Sequence, residues 1–380
     1  MDEFRIDVRT HNSIKLKVTW IGFLPYYVNS GNIKKIAKRI RDTLSALVTE
    51  CQKGAAKNSG ATLRRLAEHG RELYDEFFRD AGESDQAPQE ILAFFKKYPD
   101  TRITLSVDET IHVPWGLIYD GDVKKLGAQP STDPQTFSDF WCMRHSVATM
   151  FYRLTLNRMN PIPGDALKLL PVVNKFVFEP AQQQLQEMWE KDWLDWILTS
   201  HEPVYSSSEF KTKWKENAAH IGLLYFYCHA DGTRLEFDTG DSIEADQLGR
   251  EFARTITSVH GREWSCLLFL NGCSTATGDP AGAFLAASGE KGMCGFIGTE
   301  AEVPDLFALR FGIEFLYLFL VQHKTLNRVM LDMQRKHFPL SLLYGVYTHP
   351  LLSVTPALNG PQLDVSEGNY SFGQIGTGTL

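Results

Sequence analysis

A chain of 380 residues, 43% apolar and 22% charged, has the composition of a soluble globular protein able to bury one large core or two domains. Its formal net charge of −7 argues against direct binding of nucleic acid or anionic lipid by the chain as a whole. The start lacks the apolar stretch of a secretory signal, and the longest apolar run, 313–321, contains Glu314 and falls far short of the ~20 residues of a membrane span. Six cysteines in this length do not form a disulfide framework, so a reducing, cytoplasmic setting is expected, and a free reactive thiol survives there.

Residues 4–9 and 14–21 read as a β-hairpin or two short strands. Asn32 is placed to cap a helix reaching about residue 52, with Ile36, Ile40, Leu44, Leu47 and Val48 on one stripe. Its other face carries Lys34, Lys35, Lys38, Arg39 and Arg41, a solvated face or, less simply, a basic docking patch. A second helix is expected over 62–80 and a short third one around Ile91, Leu92 and Phe94. Strands follow at 102–107 and 110–113. His112 has no nucleophile beside it in sequence and reads as structural. Residues 121–137 form a long loop rich in turn formers, and the Asn-Pro-Ile-Pro-Gly break at 160–164 is the expected boundary between two halves.

From Leu169 the pattern alternates strand and helix. A strand is expected over 170–178 and a helix over 181–198. A short strand at 202–205 and a helix over 207–217, capped by Ser206 or Ser207, come next. Two runs then dominate. Residues 221–228 are nearly all apolar or aromatic and lead into His229, Ala230, Asp231 and Gly232. Residues 266–272 are similar and lead into Cys273, Ser274, Thr275 and Ala276. Such runs suit parallel strands covered on both faces. An amphipathic helix over 246–259, with Leu248, Phe252 and Ile256 on one face, connects them. A strand–helix–strand crossover puts both strand ends on the same rim of the sheet, where open α/β sheets bind ligands. His229 and Cys273, 44 positions apart (273 − 229), are therefore expected to be neighbours. Beyond them a helix over 280–289, a strand over 293–298, a helix from Asp305 to 321, a helix over 325–337 and a strand over 340–347 complete the core, with a mobile tail over 364–380.

A thiol beside an imidazole permits nucleophilic catalysis. Only about 3% of a free cysteine is thiolate at pH 7. An adjacent imidazole can take the proton, or hold the thiolate as an ion pair, and later protonate a leaving amine. The backbone N–H of Cys273 after Gly272 can point into the site, and the glycine-bearing loop after His229 can add a second oxyanion donor. Each donor is worth roughly 3–4 kcal/mol. The chain has no Gly-x-Ser-x-Gly elbow, Walker A loop or dinucleotide fingerprint, and Cys266, Cys273 and Cys294 are spaced too irregularly for a zinc knuckle. No metal and no cofactor are expected.

These residues resemble the caspase-like clan of cysteine peptidases, and within it the CHAT family, the bacterial relatives of caspase and separase. The resemblance is carried by Leu-Tyr-Phe-Tyr-Cys-His-Ala at 224–230, by Leu-Phe-Leu-Asn-Gly-Cys-Ser-Thr-Ala at 268–276, and by Gly-Phe-Ile-Gly-Thr at 295–299 with Val303, Pro304 and Asp305. Val-Pro-Trp-Gly-Leu-Ile at 113–118 and Leu-Leu-Tyr-Gly-Val-Tyr at 342–347 support it, and it covers roughly residues 61–354. It implies an α/β fold with a caspase-like, mostly parallel sheet flanked by helices. It implies a catalytic half, at 161–357, and a degenerate caspase-like or regulatory half, at 1–160; the remaining 358–380, by its composition, is expected to be a flexible tail. It implies a His229–Cys273 dyad and endopeptidase activity on protein substrates, in bacterial defence or regulated cell death, including CRISPR-linked systems.

Caspases usually carry glycine directly after the histidine. Here Ala230 and Asp231 precede Gly232, so the second oxyanion donor is Ala230 or Gly232. The position two before the cysteine, which often lines the pocket in this clan, is Asn271. Asp231, Glu300, Glu302 and Asp305 could form a pocket for a basic residue, or are loop surface and helix caps. The chain has no repeat at a TPR-like period, so activation by a separate protein partner or an upstream protease is expected. A catalytically silent caspase-like adaptor is the competing reading.

Overall fold

The structure, a computed structural model, describes residues 3–12, 15–20, 25–53, 59–78, 90, 93–95, 97–98, 100–108, 111–151, 162–163, 167–258, 266–277, 284, 293–322 and 324–355. The described residues are mixed α/β and form two five-stranded sheets. The helix expected over 280–289, apart from the helical and buried Phe284, most of the boundary at 160–164, Ile91, Leu92 and the tail lie outside the described residues.

The first sheet has the order β3-β2-β1-β4-β5. Its strands are β1 (Glu3–Thr10), β2 (Lys15–Trp20), β3 (Tyr26–Asn29), β4 (Arg102–Val107) and β5 (Ser146–Phe151). Strands β1, β4 and β5 run parallel, while β2 and β3 are antiparallel additions. Helix α1 (Ser30–Gln52) packs against α2 (Gly60–Phe78) and buries Ile33, Ile36, Ile40, Leu44 and Leu47. The cap expected at Asn32 is supplied instead by Asn29, whose side chain accepts from the Asn32 N–H at 3.1 Å. Residues 111–113, expected to be extended, form no strand.

The second sheet has the order β14-β13-β12-β8-β7, formed by β7 (Lys168–Val173), β8 (Ile221–Tyr227), β12 (Cys266–Asn271), β13 (Met293–Thr299) and β14 (Tyr344–Thr348). The first four are parallel and β14 is an antiparallel edge. Every residue of β8, β12 and β13 is buried, which is why these runs lack polar alternation. The short pair β6 (Ile162–Pro163) and β15 (Val354–Thr355) lies outside both sheets.

Neighbouring side chains of β8 serve opposite helix layers. Phe226 meets Phe210 of α5 (Ser207–Asn217) at a ring separation of 5.4 Å, and Trp214 of that helix meets Phe252 of α6 (Ala245–Ser258) at 5.0 Å. Tyr225 points the other way, under α7 (Asp305–Leu316), where Gly312 admits it: a Cβ there would stand 2.1 Å from the Tyr225 hydroxyl. Burial of each such aromatic contributes roughly 1.5–3 kcal/mol.

Several boundaries differ from expectation. The strand predicted over 170–178 stops at Val173, because Asn174 accepts from the Phe176 N–H at 2.9 Å and starts α3 (Lys175–Gln183). A break then separates α3 from α4 (Met188–Ser200). The strand expected at 202–205 is reduced to a single bridge between Val172 and Val204. Asp305 opens α7 without capping it, and the cap position falls on Pro304. After a π-helical turn at Tyr317–Val321, α8 (Leu326–Lys336) follows, and residues 340–343 form a 3₁₀ turn before β14.

The edge strands β5 and β14 lie together, with the rings of Phe151 and Tyr347 stacked at 5.9 Å and nearly parallel. Among the described residues, no helix is long and apolar enough to cross a membrane.

Candidate active site

Strands β8 and β12 pair in parallel with Leu270 opposite Phe226 and Asn271 opposite Tyr227. The offset is 44 (271 − 227), the same as that between His229 and Cys273. One step past the strands, Gly272 lies against Cys228: a Cβ on Gly272 would be 2.5 Å from the Cys228 carbonyl oxygen and 3.4 Å from the Ala230 Cβ. The next step carries Cys273 and His229. The two loops touch again farther out, where a Cβ on Gly232 would stand 3.4 Å from both the Ser274 carbonyl and the Thr277 hydroxyl.

The loop bearing His229 is part of a small antiparallel sheet that the sequence reading missed. It consists of β9 (His229–Ala230), β10 (Arg234–Asp238) and β11 (Asp241–Glu244), with Glu236 opposite His229 and Leu235 opposite Ala230. Asp231 closes the turn between β9 and β10. Its Oδ1 accepts from the Thr233 hydroxyl at 2.7 Å and from the Thr233 and Arg234 N–H groups at 3.0 Å each, and Oδ2 pairs with Arg234 at 3.1 Å. Partial burial raises its pKa, but the bonds from Thr233 and Arg234 outweigh that and leave it below the usual range. Gly232 completes the turn with φ of 86°, a value that favours glycine.

The turn bearing Cys273 is tied down at successive residues. The Thr299 hydroxyl donates to the Gly272 carbonyl, the Thr275 hydroxyl donates to Leu270 O at 3.1 Å, and the Thr299 N–H donates to the Thr275 hydroxyl at 2.9 Å. Ser274 adopts φ of 54°, uncommon for a residue other than glycine, and its N–H donates to Ala301 O at 3.1 Å. Among the described residues, no acceptor takes the N–H of Cys273 or of Gly232.

Cys273 is half-buried and His229 is exposed. The Cys273 thiol approaches the Val303 carbonyl at 3.9 Å, the long contact of a weak S–H donor. Burial pushes the thiol's pKa up; the Val303 contact opposes this, and the charges of Asp305 and Glu302 add to the rise. Asp305 thus acts on the thiol and is itself acted on by the imidazole. Surrounding protein raises its carboxyl pKa and the nearby His229 lowers it in part. The Tyr227 hydroxyl donates to the Asp305 carbonyl at 2.8 Å, fixing the start of α7 above the end of β8.

Two expected pocket residues turn inward. Asn271 is 1% exposed, and its amide is fully engaged: Nδ2 donates to the Tyr225 hydroxyl at 2.9 Å and to Ala308 O at 2.6 Å, and Oδ1 accepts from the Tyr344 hydroxyl at 2.6 Å. Glu300 is 2% exposed and paired with Arg41 at 2.9 Å. Asp231, Glu302 and Asp305 remain at the surface. Cys266 and Cys294 are buried, and no cluster of metal-ligating side chains occurs among the described residues.

No protein-family model matches this chain, and no curated protein does. Among solved structures it is similar to the complex of the RgpB pro- and mature domains of Porphyromonas gingivalis, at 12% identity and TM-score 0.42 over 84% of this chain and 78% of that one. It is similar to the Arg-specific cysteine proteinase gingipain R, at 12% identity and TM-score 0.44 over 84% and 76%. It is also similar to the separase–securin complex of Saccharomyces cerevisiae, at 12% identity and TM-score 0.42, covering 85% of this chain and 22% of that one.

Proposed function

We propose that this chain is a cysteine endopeptidase acting on protein substrates, with Cys273 as nucleophile and His229 as its base. The observation that carries the reading is the common register of β8 and β12, which brings the two loops into contact at one rim of the sheet.

In the proposed reaction His229 takes the thiol proton, and the sulfur attacks the carbonyl carbon of the scissile peptide bond. The carbonyl oxygen becomes an oxyanion held by the Cys273 N–H and by a second donor, the N–H of Ala230 or of Gly232. The imidazolium gives its proton to the leaving amine, the C–N bond breaks, and a thioester remains. Water, deprotonated by His229, cleaves the thioester and restores the thiol. The Asp305 carboxylate offsets the positive charge that His229 acquires. Asp305, Glu302 and Asp231 are the remaining candidates for recognising a substrate side chain.

A second reading is favoured by one feature of the site: burial and two acidic neighbours push the thiol's pKa up, against formation of the thiolate. That state suits a silent adaptor, or an enzyme awaiting activation. We favour the latter, in a reducing compartment and switched on by a protein partner or by cleavage. The resemblance to the CHAT family supports a setting in bacterial defence or regulated cell death.

The test is to co-express the wild type and Cys273→Ala with the proteins encoded beside this chain and map new chain ends by mass spectrometry. Cuts present only with the wild type are expected. Cuts that persist in the variant would remove Cys273 from the reaction.

A further inference from the structure

Helix α1 belongs to the first half of the chain, yet one of its side chains reaches the second half. Arg41 donates through Nε to Glu300 at 2.9 Å and through a terminal nitrogen to the His112 carbonyl at 3.2 Å. The basic face predicted for α1 therefore loses Arg41, which is directed inward rather than to solvent. Glu300 has no slack: its second oxygen accepts from the Tyr347 hydroxyl, and its N–H donates to Leu343 O at 2.7 Å. A buried carboxylate with these partners is held firmly, because losing its counter-charge would leave an uncompensated charge in the interior.

Glu300 begins the strip that cradles the nucleophile. Thr299 binds the Gly272 carbonyl, Ala301 O accepts from the Ser274 N–H, Val303 O receives the Cys273 thiol, and Asp305 O accepts from Tyr227. Three alternate carbonyls of one short segment thus engage the rim around Cys273, and the segment is fastened at its base to α1.

We propose that Arg41 and Glu300 are a positioning pair through which the first half of the chain sets the placement of Cys273 against His229. The inference deepens the peptidase reading and rests on it for the use made of that placement. Small displacements of a reacting group are costly: a shift of about 1 Å can cost on the order of a hundredfold in rate. Coupling through packed side chains is typically smaller, on the order of a few-fold to tenfold.

The experiment measures alkylation of Cys273 by iodoacetamide across pH, read by mass spectrometry of the Cys273 peptide. The other five cysteines are buried. Arg41→Gln is expected to slow labelling at neutral pH by about fivefold, with Arg41→Lys recovering part of the loss. Arg335→Gln is the comparison, because it breaks another contact between the halves, Arg335 with Asp100 at 2.9 Å, away from the cradle. It is expected to leave labelling unchanged.

A purely structural role predicts the opposite sign, since a loosened protein exposes its thiols and labels faster. Faster or unchanged labelling in Arg41→Gln would overturn the proposal. If that variant does not fold, Tyr347→Phe removes only the hydroxyl bond to Glu300 and gives the same reading in milder form. The two claims separate cleanly: slowing by His229→Ala without slowing by Arg41→Gln defeats the positioning pair alone, whereas no slowing by His229→Ala defeats the peptidase reading itself.

Discussion

Gly272 and Cys228 meet backbone to backbone: a methyl group on Gly272 would stand 2.5 Å from the Cys228 carbonyl oxygen. Since the obstacle is main chain, no rotamer change relieves it. Gly272→Ala is expected to force the two rim loops apart and to destabilise the protein by roughly 1–3 kcal/mol. Urea unfolding checks the stability, and loss of Cys273-dependent cleavage checks the geometry. A variant with unchanged stability and activity would show that the loops do not meet this closely.

Glu302 is exposed, and its charge contributes to the raised pKa of Cys273. Removing a negative charge favours thiolate, so Glu302→Gln should move the alkylation profile of Cys273 toward lower pH. The effect should shrink as salt is added, because the pair is screened. A profile that stays in place or moves to higher pH would exclude Glu302 as an influence on the nucleophile.

His145 is fully buried, and burial, reinforced by Arg144 and Arg335, lowers its pKa from 6.5 to about 3. Between those values the unfolded chain binds a proton that the folded chain does not. Stability therefore rises with pH through this window and is lost as pH falls from 6.5 toward 3. At pH 5 the cost is about 2 kcal/mol. His145→Gln can still accept from Arg144, which now donates to the ring at 2.9 Å. Its stability loss between pH 7 and pH 5 should be smaller than that of the wild type. Equal losses in urea titrations would contradict the burial of a neutral imidazole.

Much of this layout could be read from the chain because its signals are local and long. Strands β8, β12 and β13 are buried on both faces and appear as unbroken apolar runs. The crossover between β8 and β12 then requires parallel pairing. The small sheet around His229 carries a weaker signal that was overlooked: Leu235 and Phe237 are buried between the polar Arg234, Glu236 and Asp238, a period of two over only five residues. The helix start at Lys175 depends on one capping side chain, that of Asn174, inside a run otherwise suited to a strand.

Contacts between distant residues were not legible. Arg41 and Glu300 are 259 positions apart, and nothing near either one announces the other. Asn271 likewise looks like a rim residue from its place two before Cys273. Its side chain instead alternates inward, where two tyrosine hydroxyls and the Ala308 carbonyl engage both its amide nitrogen and its oxygen. That a carboxylate, Asp305, would stand close enough to His229 to feel its charge followed from the fold of the strip after β13, not from any motif.

The most direct test of the account is the rate at which Cys273 is alkylated near pH 7 in the wild type and in His229→Ala. If the imidazole takes the thiol proton, the variant should react at least about tenfold more slowly, with its far-UV spectrum and melting temperature preserved. Equal rates in two equally folded proteins would mean that His229 and Cys273 do not work together.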